Sequence, residues 1–222
     1  MPTPVSTTPI RFVYFDLGNI LCAFDRDRAA ANLAKLLGVD FALTDSVLHG
    51  AGLQERFEHG HLSGDRYVDL VCEGVGLSSW ADRHDDGRAA AVAAVHDAIS
   101  DMFTPVAGMD VIAATVRRCV GRIGVLSNTC EAHWDWIVRQ RYPVLSVDFD
   151  EIVLSCRVGS MKPDDAIYRI AEQQAGCDPA SILFIDDRVE NVRAARRHGW
   201  RAEACLGGDE AKDVFTRYGL MG

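Results

Sequence analysis

Short apolar runs that stop abruptly at a polar residue constrain this chain more than any other feature. Ile10 to Phe15 is β-rich, apolar and too short for a helix, and it ends at Asp16-Leu17-Gly18-Asn19, where the chain must turn. Similar runs recur at Arg122 to Leu126, Glu151 to Leu154 and Ser181 to Ile185, with a weaker fifth near Arg201 to Cys205. Helical patterns separate the later runs. Ala166, Ile167, Ile170 and Ala171 share one face, Pro163 suits a first helical turn, and Gly176 suits a C-terminal stop. Val189, Val192 and Ala195 form a second apolar face, closed by Gly199. This alternation predicts an α/β fold, a doubly wound parallel sheet with helices on both sides.

The spacing of the first two runs is unusual. Over a hundred residues separate Asp16 from Arg122, far more than one crossover helix needs. Leu33, Leu36 and Leu37 form one stripe within this stretch, Tyr67, Leu70 and Val71 another, and Val92, Val95, Ile99 and Met102 a third. Turns fall at Glu58-His59-Gly60-His61 and at Gly74 to Gly76. We therefore expect a helical cap at 24–104 inserted into an α/β core formed by 1–23 and 105–222. The chain re-enters the core through a helix near Val111 to Arg118.

Composition narrows the function. A formal net charge of −9 with no basic block to offset it argues against nucleic-acid or anionic-membrane partners. No apolar stretch approaches the roughly 20 residues of a membrane span. The Pro/Thr/Ser-rich stretch from Met1 to Pro9 reads as a frayed tail and not a signal peptide. The seven cysteines show no two-residue gaps and read as reduced packing residues of a cytoplasmic protein. No Gly-rich loop ends in Lys-Ser or Lys-Thr, so a kinase-type nucleotide loop is not expected.

The polar residues at the ends of these runs carry the chemistry. The first run ends in Asp16, the second in Ser127-Asn128 and the fourth in Asp186-Asp187, while Lys162 comes after the third. Ligands of open parallel sheets bind outside the carboxyl ends of the strands. Carboxylates, a hydroxyl and an ammonium thus converge on one rim.

These residues, in this order, resemble the haloacid dehalogenase-like superfamily. Phe15-Asp16-Leu17-Gly18-Asn19-Ile20-Leu21 is similar to its first motif and Leu126-Ser127-Asn128-Thr129 to its second. Gly159-Ser160-Met161-Lys162-Pro163 is similar to the third and Phe184-Ile185-Asp186-Asp187-Arg188-Val189-Glu190-Asn191 to the fourth. The resemblance spans nearly the whole chain and implies a Rossmann-like core with a small helical cap. It implies a phosphatase acting on a small phosphorylated molecule, with Asp16 as covalent nucleophile and Lys162 as its catalytic partner. Ser127, Asn128 through its backbone N–H, and Lys162 would bind phosphate. Magnesium would be held by Asp16, the Gly18 carbonyl and Asp186, with Asp187 orienting that shell. Either a monomer or a homodimer is compatible with this reading.

One position departs from the family pattern. Its phosphatases usually carry a second Asp two residues after the nucleophile, as general acid and base, where this chain has Gly18. Such a group is typically worth 10²–10⁴-fold, roughly 3–5 kcal/mol. Three readings stand: a leaving group that needs less protonation, such as an anomeric sugar hydroxyl, another residue or water in the role, or a loss of catalysis. Branches reading Asp-Leu-Gly-Asn are regarded as sugar-phosphate phosphatase-like, which favours the first two. Rival functions are a haloacid dehalogenase, whose halide leaves without a proton, and a non-catalytic binding module on the same scaffold.

Blander roles exist for each residue. Asp16 could simply end a strand, Asp186 and Asp187 could cap a helix, and Lys162 could be a solvated surface lysine. Ser127 as the N-cap of a helix beginning near Thr129 is compatible with phosphate binding. Glu58, His59 and His61 read as a solvated loop, and Trp80, Trp134, Trp136 and Trp200 as packing residues. Tyr67, Glu55, Arg56 and Arg66 are candidates to face the substrate.

Overall fold

The computed structural model describes residues 8–50 and 52–222, so most of the Met1–Pro9 tail lies outside the described residues. The first run forms strand β1 (Phe12–Phe15), followed by a tight turn and a short strand β2 (Cys22–Phe24). Five helices come next: α1 (Arg26–Leu37), α2 (Phe41–His49), α3 (Leu53–Glu58), α4 (Gly64–Gly74) and α5 (Arg88–Ser100). Strand β3 (Phe103–Pro105) then pairs antiparallel with β2, so the helical excursion leaves and returns through one two-stranded neck.

From there strand and helix alternate as expected. The order is α6 (Met109–Val120), β4 (Ile123–Ser127), α7 (Glu131–Arg139), β5 (Glu151–Leu154), the single turn α8 (Ser155–Val158) and α9 (Asp165–Ala175). It continues through β6 (Ile182–Asp186), α10 (Val189–Arg197), β7 (Arg201–Ala204) and α11 (Asp209–Arg217). Five strands form one parallel sheet in the order β5-β4-β1-β6-β7.

The central strands β1, β4 and β6 read as apolar runs because both faces of the sheet are covered there. Val13, Phe15, Ile123, Val125, Leu183 and Ile185 point to one face and pack with α6, α7 and α11. Their neighbours Phe12, Tyr14, Leu126, Ile182 and Phe184 point to the other, against α9 and α10. This period of two separates two hydrophobic clusters on one set of strands. A third cluster lies within α1 to α5 and also takes in Cys130 and Ala132, which seats the helical layer on the core.

Three of the tryptophans, Trp134, Trp136 and Trp200, are buried as packing residues. All seven cysteines are free thiols. Two helix starts differ from expectation. Pro163 precedes α9, because Asp164 adopts an extended cap conformation and the helix begins at Asp165. Ser127 is not a cap either: it remains in β4, paired with Leu154, and α7 begins only at Glu131. Among the described residues no helix is long and apolar enough to cross a membrane.

Candidate active site

Register explains why the rim residues meet. Phe15 lies level with Val125 on one side and Ile185 on the other, so Asp16, Leu126 and Asp186 are level one residue later. The Asp16 N–H continues the ladder, donating to the Ile185 carbonyl at 3.0 Å. Lys162 arrives from the turn before α9, and its ammonium donates to all three. It bonds Asp16 Oδ1 at 2.8 Å, the Leu126 carbonyl at 2.8 Å and Asp186 Oδ2 at 2.6 Å. All three donor protons of the ammonium are thereby used.

The Lys162 backbone is fixed independently. Its N–H donates to Asn128 Oδ1 and its carbonyl accepts from Asn128 Nδ2, both at 2.8 Å. Asn128 thus ties the turn after β4 to the turn that carries the lysine. Asp186 is held from the other side, accepting from the Arg188 N–H at 2.8 Å and from Asn191 Nδ2 at 3.0 Å. Asn19, in the left-handed region at φ 55°, donates to Asp187 Oδ2 at 2.8 Å.

Burial of this cluster shifts its titration. Desolvation pushes Asp16 up to about 7, opposed by the Lys162 charge and reinforced by Asp186. Burial alone would favour neutral Lys162, but the charges of Asp16 and Asp186 outweigh it and raise its pKa above the ordinary lysine value. Lys162 is therefore a buried ammonium, and the solvated-surface reading does not hold: its side chain is 1% exposed.

Oxygen atoms of Asp16, Asp186 and Asp187 lie within 4.8 Å of one another. Three carboxylates against the single Lys162 ammonium leave a formal excess of two negative charges. Such an all-oxygen, electron-rich set fits a hard divalent cation. Gly18 sits beside it without a positive φ, and a Cβ there would stand 3.1 Å from Phe24 Cε1. The Phe24 ring thus occupies the space beside the position where an acidic side chain is missing.

These groups line a cavity of about 790 Å³ between the sheet rim and the helical layer. Asp16, Gly18, Ser127, Asn128, Lys162 and Asp187 all border it, so the structure brings the sequence-derived set together. The helical side contributes Arg26, Gln54, Glu55, Glu58 and His59. Glu58 and His59 are half-buried at the end of α3, in place of the solvated loop expected there, whereas His61 is exposed and stacks on His59 at 4.2 Å. Tyr67 is fully buried in the helical cluster, and Arg56 and Arg66 do not border the cavity. Sequence reasoning assigned no role to Asn191 or Asn19, although both lie inside the four motifs, and none to Gln54 or His133, which meet only in three dimensions.

With this geometry in place, comparison with known proteins defines the class. The haloacid dehalogenase-like hydrolase model matches residues 26–199, and the chain belongs to that family of hydrolases. Among its relatives is glyceraldehyde 3-phosphate phosphatase of Methanopyrus kandleri, 26% identical over 199 residues, covering 86% of this chain and 81% of the relative. D-ribitol-5-phosphate phosphatase of Bacteroides thetaiotaomicron is 23% identical over 198 residues, covering 86% and 89%. A HAD family enzyme from the same organism, solved with magnesium and inorganic phosphate, has a TM-score of 0.76 at 22% identity over 93% of this chain and 99% of its own. L-2-haloacid dehalogenase of Xanthobacter autotrophicus shares the fold with a TM-score of 0.57 at 18% identity, covering 94% and 81%.

Proposed function

We propose that this chain is a magnesium-dependent phosphatase of the cytoplasm that hydrolyses a small phosphomonoester, with a sugar phosphate as the first expectation. One observation carries the reading: a buried ammonium bridges Asp16 and Asp186 beside Asp187, at the floor of a cavity sized for a small ligand. The named phosphatases among the relatives, which act on phosphorylated three- and five-carbon compounds, support it.

Uncatalysed phosphomonoester hydrolysis is very slow, so the residues must act by positioning and electrostatics. Asp16 attacks phosphorus in line with the ester oxygen, forming an aspartyl-phosphate that water then hydrolyses. Lys162 neutralises nucleophile and phosphate together. The Ser127 hydroxyl and the Asn128 N–H hydrogen-bond phosphate oxygens. Asp186 and Asp187, with Asp16 and the Gly18 carbonyl, would hold magnesium. Magnesium there supplies the positive charge that lets an anionic nucleophile approach an anionic ester. The helices from α1 to α5 act as the cap, 24–104, that closes the cavity and selects the substrate.

A dehalogenase needs no such cation, and the excess negative charge of three clustered carboxylates would then serve no purpose. The test is phosphate release from a panel including D-ribitol 5-phosphate and glyceraldehyde 3-phosphate, with magnesium and with chelator. Release that requires magnesium is expected. Release unaffected by chelator, or none from any ester by folded protein, would remove the proposal.

A further inference from the structure

An alkoxide leaves a phosphorus centre poorly unless it is protonated, and Gly18 offers no donor. Of the ionisable groups bordering the cavity, Asp16, Asp187 and Lys162 are engaged in the rim cluster, Arg26 and Arg188 do not give up a proton, His49, Glu55 and Asp164 are exposed, and His59 is stacked on His61. Glu58 differs from all of these. It closes α3, and its backbone carbonyl accepts a 2.6 Å bond from Ser155 Oγ. The same hydroxyl contacts the backbone of Thr129, accepting from its N–H at 2.9 Å and lying 3.1 Å from its carbonyl. Thr129 directly follows Ser127 and Asn128. The end of α3 is thereby pinned to the turn that carries the phosphate-binding candidates.

A second contact fixes the same corner. Gly60, at φ 77°, approaches α8 so closely that a Cβ would stand 2.4 Å from the Cys156 carbonyl oxygen. The Glu58 side chain is oriented as well. Its Oε1 accepts from Gln54 Nε2 at 2.9 Å, and that amide is fixed by the Tyr67 hydroxyl donating to Gln54 Oε1 at 2.8 Å. His133 Nε2 accepts from Gln54 Nε2 at 2.9 Å, and its Nδ1 faces Ser100 Oγ at 3.0 Å. Among the described residues Glu58 Oε2 has no hydrogen-bond partner.

We propose that Glu58 is the proton donor and acceptor of the phosphoryl transfer, supplying from the helical layer the group missing at Gly18. This rests on the phosphatase reading above. As an Asp16 oxygen bonds phosphorus, the bond from phosphorus to the ester oxygen breaks. The ester oxygen keeps that electron pair, takes the Glu58 proton and departs as a neutral alcohol. The Glu58 carboxylate then accepts a proton from the water whose oxygen bonds phosphorus. The acyl-phosphate bond breaks, its electron pair returns to Asp16, and Glu58 ends protonated as it began.

The surroundings suit a group that must both give and take a proton. Burial pushes Glu58 up to about 7; Gln54, Arg26 and Arg188 oppose the shift, and Glu55 adds to it. Tyr67 and Cys130, which also feel its charge, are themselves held well above their ordinary values by burial and stay neutral.

The test compares wild type, Glu58→Gln and His59→Gln on D-ribitol 5-phosphate and on 4-nitrophenyl phosphate, whose phenolate departs without a proton. For Glu58→Gln, kcat/KM on the ribitol ester should fall about 10²–10³-fold, while the aryl ester loses less than tenfold. Equal losses on both esters would mean a structural role and overturn the proposal. So would no loss on the ribitol ester, or the substrate-dependent loss appearing in His59→Gln instead. Failure of the phosphatase reading looks different: wild type would then release phosphate from neither ester.

Discussion

At the residue scale, Lys162 concentrates the electrostatics of the site. Among the described residues its ammonium is the one cation in contact with two buried carboxylates, and nearly all solvent is excluded from the three groups. Breaking such a buried network by removing one partner costs more than the network itself contributes, because charge is left uncompensated. Lys162→Met should therefore destabilise the metal-free protein by about 3–5 kcal/mol in urea denaturation, and turnover should fall by orders of magnitude. A loss of stability under about 1 kcal/mol, the range of a surface pair, would mean that the lysine is not the buried counter-ion described here. The chemistry at this scale was largely legible in the sequence, since Asp16, Ser127, Lys162 and Asp186 each come at or after the end of a recognisable run. The bonds that aim them were not. Asn191 reaches Asp186 from the first turn of α10, and Asn128 clasps the Lys162 backbone across 34 residues of sequence.

At the element scale, the decisive contact is the one between α3 and α8. Ser155 and Gly60 join the helical layer to the sheet rim, and the two can be tested separately. Gly60→Ala adds a left-handed strain of about 1–2 kcal/mol and a clash with the Cys156 carbonyl. Gly76→Ala is the matching control, since Gly76 has the same φ of 77° with no atom within 4 Å. Gly60→Ala should be the less stable of the two and should lower kcat/KM, whereas equal effects would show that only backbone strain matters. The central strands β1, β4 and β6 were readable because both their faces are buried, which makes them short and apolar, whereas the edge strand β7 is partly exposed and gave a weaker signal. The proton-carrying corner was not, because Gln54, Glu58 and His133 are brought together by the meeting of α3 and α7. Helix starts slipped by two or three residues at Pro163 and Ser127 for local reasons, an extended cap at Asp164 and a ladder that holds Ser127 in the strand.

At the scale of the whole molecule, the titratable groups brought together where α3 meets α7 give stability a pH dependence of two signs. Burial raises Glu58 from 4.5 to about 7, so its contribution is fully present below pH 4.5 and lost as pH rises through 7. His133 behaves oppositely: burial lowers it from 6.5 to about 3, so its contribution is present above pH 6.5 and lost as pH falls toward 3. In thermal melts with chelator, the Tm of Glu58→Gln relative to wild type should therefore climb between pH 4.5 and 8. A pH-independent difference would contradict the raised Glu58 carboxyl. The proposed hydrolysis depends on Asp16 forming a covalent bond to phosphorus, and the most direct measurement is mass spectrometry of acid-quenched protein caught during turnover with magnesium and D-ribitol 5-phosphate. The expected result is one added phosphoryl group on the peptide containing Asp16, absent in Asp16→Asn together with all turnover. Turnover with no adduct at Asp16, or an Asp16→Asn variant that still releases phosphate at the wild-type rate, would contradict it.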